Sequence, residues 1–222
     1  MKTQSRRRAP QKRAVANRDA ILAAAGLEFR QQGYHGARTR AIAAAAQIEL
    51  GHLNYYFENK DVLWQAVIEE FLVACEVLLS EGAKLVNVTP RETVLDVVQD
   101  VLVRFVGAFA DDPGMCKLLL GELYESSPRY AWLYAIVGSR LWAAARPLFD
   151  VLGAEGYLGG VQPYLVYANL ISGALLGFGF REEMLRMDGG NTVVSREEQI
   201  SALLQPTFTK GDKAKTSAAL RR

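Results

Sequence analysis

The stretch TRAIAAAAQIELGHLNYYFENK, Thr39 to Lys60, holds two short helical patterns on either side of a turn. In the first, about Thr39 to Ala46, the inward residues are Ile42, Ala45 and Ala46, and the alanine run lets another helix pack close. In the second, about Leu50 to Phe57, Leu53 and Phe57 point inward at a spacing of four. Gly51 and Tyr55 then lie on the opposite face, with His52 and Asn54 beside them. Upstream, about Asn17 to Gln32, Asn17 is placed to cap a helix whose buried face holds Ile21, Leu22, Ala25 and Phe29, and Gly33 supplies a left-handed stop. Three short helices with a turn between the second and third predict a helix-turn-helix, in which the third helix enters the major groove of DNA.

The rest of the chain repeats the spacing of three and four, and sustained two-residue alternation is missing, so the predicted fold class is all-α. Asn59 caps a helix of about Lys60 to Gly82, and further helices are expected near Pro90–Ala110, Pro113–Glu125, Pro128–Leu152, Val161–Met187 and Arg196–Leu204. The expected division is a basic disordered arm (1–16), a DNA-binding domain (17–59), a helical body (60–209) and a basic disordered tail (210–222).

The net charge of +2 conceals an asymmetry. Residues 1–60 carry 11 Lys and Arg against 4 Asp and Glu, residues 61–209 carry 10 against 19, and residues 210–222 carry 5 against 1. A basic front on an acidic body points to a polyanion partner for the front alone. The two cysteines, Cys75 and Cys116, lie far apart without a CxxC or a His neighbour, which suggests neither a disulfide framework nor a metal site. The N-terminal arginines lack an apolar sequel, so a cytoplasmic location is expected. Gly156 to Phe180 holds no charged residue, but Gln162, Pro163, Asn169 and several Gly argue for a buried or interface helix over a membrane span. HExxH, GxSxG and P-loop motifs are missing, and GFGF at Gly177–Phe180 lacks the rest of a dinucleotide fingerprint. The chain reads as a non-enzyme without cofactor or metal.

Three motifs sharpen this: A-x-x-x-F-x-x-x-G-Y (Ala25–Tyr34), R-x-I-A (Arg40–Ala43) and L-x-Y-x-F-x-N-K (Leu53–Lys60). In this order and spacing, the segment from about Asn17 to Val67 resembles the DNA-binding domain of the TetR family of bacterial transcriptional regulators. The resemblance implies that His52 and Asn54 read bases, with Gly51 permitting close approach to the groove. Tyr55, Tyr56, Thr39 and Lys60 would contact phosphates, Arg38 would do the same, and Arg40 matches a position that contacts a base in some relatives. Tyr56 also fits a packing role against the first helix. The arm with Arg6, Arg7, Arg8, Lys12 and Arg13 fits either the minor groove or a solvated tail. Departures stand at Ala37, where a capping Ser or Thr is common, at Gln47, where the turn usually has Gly, and at Glu49 and Leu50, where Ser or Thr and a polar residue are common.

The resemblance further implies a pocket and a dimer interface in the body, and so a ligand-responsive dimeric repressor with a near-palindromic operator. Candidate effector residues are Phe105, Phe109, Met115, Tyr124, Trp132, Trp142, Tyr167 and Asn169, with Arg104 and Arg140 as polar partners; plain core packing is the competing reading for each. An apolar or aromatic effector follows from that lining. Leu170, Ile171, Gly173, Leu175, Leu176 and Gly177 are the interface candidates, because small residues allow close approach of a second copy. The alternatives are a low-specificity DNA-binding protein and a ligand-binding helical protein with enzymatic activity.

Overall fold

Every regular element among the described residues is helical, as the spacing predicts. The computed structural model describes residues 4–123, 127–187 and 194–208, with side chains from residue 14 onward. Two compact units divide at Phe71 and Leu72.

The first unit contains α1 (Gln4–Gly36), α2 (Thr39–Ala45), α3 (Leu50–Tyr56) and the first part of α4 (Lys60–Val86). Ile21, Leu22, Ala25 and Phe29 are buried as expected, together with Ile42, Leu53, Phe57, Trp64 and Ile68. Removing each large side chain from water contributes about 1.5–3 kcal/mol. Gly33 breaks α1 with φ 66°, the left-handed stop read from the sequence. Two expectations fail here. Asn17 lies inside the helix and caps nothing, because the helix runs on from Gln4 through a segment rich in Arg, Lys, Ala and Gln, good helix formers that outnumber the unfavourable Pro10, so the backbone expected as an arm is helical. In α2 the buried residues are Ile42 and Ala43; Ala45 is exposed and Ala46 half-buried, because the helix ends at Ala45 and the chain turns there.

The second unit contains the rest of α4 and α5 (Val94–Ala110), α6 (Pro113–Leu123), α7 (Pro128–Ala135), a π-helical turn (Ile136–Leu141), α8 (Trp142–Ala154), α9 (Pro163–Gly179), α10 (Arg181–Met187) and α11 (Arg196–Phe208). Helix α9 is central, packing against α5, α6, α8, α10 and α11. A Cβ added at Gly82 of α4 would stand 2.7 Å from Val101 of α5, so these two helices approach where only glycine fits. Cys75 and Cys116 are buried free thiols, and loss of hydration pushes each pKa up to about 12.

The helices depart from expectation in five places, the first being α4, which continues past Gly82 to Val86. Helix α5 starts at Val94 because the chain first turns at Pro90, whose carbonyl accepts from the Thr93 amide. The single helix expected over Pro128–Leu152 is interrupted by the π-turn. Ile136 and Leu141 are both buried, and residues five apart do not share a face in an α-helix; the wider turn brings both inward. The helix expected over Val161–Met187 bends by 81° at Phe180. Among the described residues no single helix is long and apolar enough to cross a membrane. Helix α11 continues past Leu204 to Phe208.

A buried ion pair closes the α6–α7 connection. The Arg129 guanidinium donates from Nε to Glu122 Oε2 at 3.0 Å, and both residues are buried. Losing one partner alone would strand the other charge away from water.

Candidate nucleic-acid interface

Helix α3 is fixed from beneath by Leu53 and Phe57, 1% and 3% exposed. The Arg18 guanidinium of α1 lies 5.6 Å from the Phe57 ring centroid, a cation–π contact that holds the helix's C-terminal end. The opposite face carries Gly51, His52, Asn54 and Tyr55, all exposed, with Tyr55 at 83%. Tyr56 is half-buried and meets the Tyr55 ring edge-on at 5.4 Å, so packing and outward contact share that side chain. A Cβ built on Gly51 meets nothing within 4 Å.

The flanks of this face are set by polar contacts. Arg38 precedes α2 as its N-cap, and its amide donates to Glu28 Oε1 of α1 at 3.0 Å; no side chain caps α2 directly. Arg38 and Arg40 are exposed and Thr39 half-buried. Glu28 therefore ties the amide of the N-cap residue to α1, a contact that the sequence reading missed. Gln47 turns the chain between α2 and α3 at φ 56°, the one left-handed non-glycine residue among those described. Glu49 begins α3 without a side-chain cap, its carbonyl accepting from His52 and Leu53.

At the start of α4, Asn59 caps as predicted, its Oδ1 accepting from the Val62 amide at 2.9 Å. The Tyr34 hydroxyl donates to Asp61 Oδ1 at 2.9 Å, and Lys60 Nζ lies 4.7 Å from the Tyr34 ring centroid and 3.4 Å from the His35 carbonyl oxygen. The Gly-Tyr pair thus ties the end of α1 to the first turn of α4 and holds Lys60 beside the recognition surface. His35 is exposed and edge-on to Tyr34.

The family described as bacterial regulatory proteins, tetR family, matches residues 21–67, the segment that builds this face. Residues 21–67 are thus a DNA-binding domain of the TetR type. The TetR family is one of regulators, not of enzymes. The chain is 44% identical over 61 residues to the HTH-type transcriptional regulator RutR of Escherichia coli K12, covering 27% of this chain and 29% of RutR. It is 30% identical over 89 residues to the Bacillus subtilis protein named "Probable HTH-type transcriptional regulator YttP", covering 40% of this chain and 43% of that one. The chain thus spans less than half the length of the curated relatives it matches. Its TetR-like fold extends further: a TetR-like regulator from Rhodococcus sp. RHA1 superposes with TM-score 0.59 at 19% identity over 86% of this chain and 93% of that one. HlyIIR, a hemolysin II transcriptional regulator, gives TM-score 0.58 at 17% identity over 85% and 97%.

The second unit holds a cavity of about 180 Å³ bounded by α4, α5, α6, α7, the π-turn and α9. Of the expected effector residues, Phe109 and Tyr167 line it. Trp142 stands behind Tyr167 and Tyr164 at ring distances of 5.3 and 5.5 Å. Phe105 and Met115 are core residues, Trp132 is half-buried outside the lining, and Asn169 borders a different groove, against α11. Tyr124 lies outside the described residues. Arg104 pairs with Asp100 at 3.6 Å, and Arg140 Nη2 meets Glu76 Oε2 at 2.5 Å. The sequence reading missed Tyr130, Tyr134 and Tyr164, which join the lining because the π-turn and α9 converge on α7.

The expected interface residues separate by face. Leu170, Ile171 and Leu175 are buried within the protomer, and a Cβ on Gly173 would stand 2.8 Å from Leu203 of α11. Leu176 is 40% exposed and Gly177 half-buried. The exposed stripe of this region is instead Val161, Leu165, Ser172, Leu176 and Phe180.

Proposed function

We propose that the protein is a cytoplasmic, ligand-responsive transcriptional regulator that binds double-stranded DNA as a homodimer and acts as a repressor released by a small apolar or aromatic effector. The observation that carries this is the face of α3: Gly51, His52, Asn54 and Tyr55 stand out from a helix pinned by Leu53 and Phe57, inside a segment that matches a family of regulators. Asn54 suits the paired donor and acceptor on adenine, His52 is a less selective reader, and Gly51 lets the helix approach the bases. Tyr55, Tyr56, Thr39, Arg38 and Lys60 act as phosphate contacts that fix register, and Arg40 is placed as a further base contact. Two copies address two half-sites of a near-palindrome. Effector bound in the second unit shifts the population toward a dimer whose readers are wrongly spaced. A preference of about 1.4 kcal/mol for that state disfavours the bound form tenfold.

Selection of bound fragments from a random DNA pool at physiological salt tests this. Enrichment of a near-palindrome is expected, with Tyr55→Ala weakening binding about equally across sequences and Asn54→Ala relaxing the preference at one position by about 1–3 kcal/mol. Uniform recovery of all sequences, with steep salt dependence, would instead mark low-specificity binding.

A further inference from the structure

Resting on the ligand-responsive reading above, we propose that the cavity of the second unit takes an uncharged ligand built on one aromatic ring with small substituents, and rejects carboxylates of the same shape. Size sets the first limit. An apolar cavity of about 150 Å³ binds benzene. At about 180 Å³ there is room for such a ring and a short substituent.

Charge sets the second limit. Among the described residues the lining contains no Lys, Arg, His, Asp or Glu. The π-turn contributes Val137, Gly138 and Leu141 to the wall, while its one cation, Arg140, engages Glu76 outside the lining. An ionised ligand would therefore lose its hydration without gaining a counter-charge. The Tyr167 hydroxyl donates to the Val137 carbonyl at 3.0 Å, and burial raises its pKa, so this tyrosine does not supply an anion either.

The walls set the third. Phe109, Tyr130, Tyr164 and Tyr167 offer ring faces and edges to an aromatic guest. Among the described residues the polar side chains of the lining are hydroxyls, from these tyrosines, Tyr134 and Ser172, which suit a single hydroxyl or carbonyl on the ligand. Tyr134 and Leu123, 60% and 47% exposed, mark where the cavity opens to solvent. The π-turn forms one wall, and π-turns inside helices are frequent at functional sites.

Calorimetric titration of the full-length protein, without DNA, with 4-ethylphenol, neutral at pH 7, and 4-ethylbenzoate tests this, with 4-ethylbenzamide, uncharged and isosteric with the benzoate, as the control for size. The phenol and the benzamide are each expected to bind at least tenfold more tightly than the benzoate. Ala168→Phe, which fills the cavity from α9, and Leu123→Trp, at the exposed mouth of the cavity, are each expected to lower phenol affinity at least tenfold with the melting temperature retained. Equal or tighter binding of the benzoate, absence of phenol binding, or unchanged affinity in the folded filled variants would each overturn the assignment. Operator selection with the unmodified protein reads the regulator function separately: phenol binding without operator selection would sink that function and leave this ligand class standing.

Discussion

Gly51 has open space where a Cβ would stand, and it lies in the first turn of α3, where glycine costs at most the ~1 kcal/mol relative to alanine of a helix interior. Gly51→Ala should therefore raise stability by up to that amount in a urea titration. If α3 sits deep in a groove, the same change weakens operator binding at least severalfold; unchanged DNA affinity in the stabilised variant would show that the helix does not approach the bases at Gly51. Gln47 presents the converse case. A left-handed backbone costs a non-glycine residue about 1–2 kcal/mol, partly offset by the smaller entropy it loses on folding. Gln47→Gly should raise the melting temperature and Gln47→Val should lower it, with the DNA-facing residues untouched. Both positions were legible as residues: Gly51 followed from the opposition of Leu53 and Phe57, and Gln47 stood out where glycine is usual. Glu28 was not, because its partner is a backbone amide ten residues away.

Helix α11 is held at its start by two sets of contacts. Ser195 and Glu198 form a capping box: Ser195 N donates to Glu198 Oε2 at 2.7 Å and Glu198 N to Ser195 Oγ at 3.1 Å. Arg196 forks onto Asp111 of α5 at 2.6 and 2.8 Å. The backbone and side-chain bonds from Ser195 lower the Glu198 pKa, and the hydrogen bond from Arg196 lowers that of Asp111. Carboxyls lowered on folding stabilise above their unfolded values of about 3.9–4.3, and that contribution disappears as pH falls through the lower folded values. Melting followed from pH 7 to about pH 2.5 should show a loss beginning near pH 4 that is smaller in Glu198→Gln; an identical profile in the variant would exclude the cap as a contributor. The S-x-x-E signature was there to read, as Asn59 was before α4. The π-turn and the bend at Phe180 were not, since hydrophobic spacing reports a face and does not register one extra residue in a turn or a change of direction.

Charge and exposure together determine how copies of the chain would meet. The basic front and acidic body read from the sequence fit a protein that meets DNA with one end. The proposed interface was the less legible part, because on α9 an apolar residue for the protomer's own core and one that would meet a second copy look the same in sequence. Exposure separates them: Leu170, Ile171 and Leu175 are buried, whereas Leu165 and Leu176, 52% and 40% exposed, lie on the outer stripe. A dimer built on that stripe should dissociate in Leu165→Glu with Leu176→Glu, seen as a halved mass in sedimentation equilibrium with helix content unchanged; a dimer surviving both changes would place the interface elsewhere. The tryptophans divide in the same way as the compact units, with Trp64 fully buried in the first and Trp132 and Trp142 half-buried in the second. Replacing the latter pair with Phe leaves one fluorophore in the DNA-binding unit, and replacing Trp64 leaves the other two. Emission recorded through a denaturant titration would then tell whether the two units melt as one body or in succession.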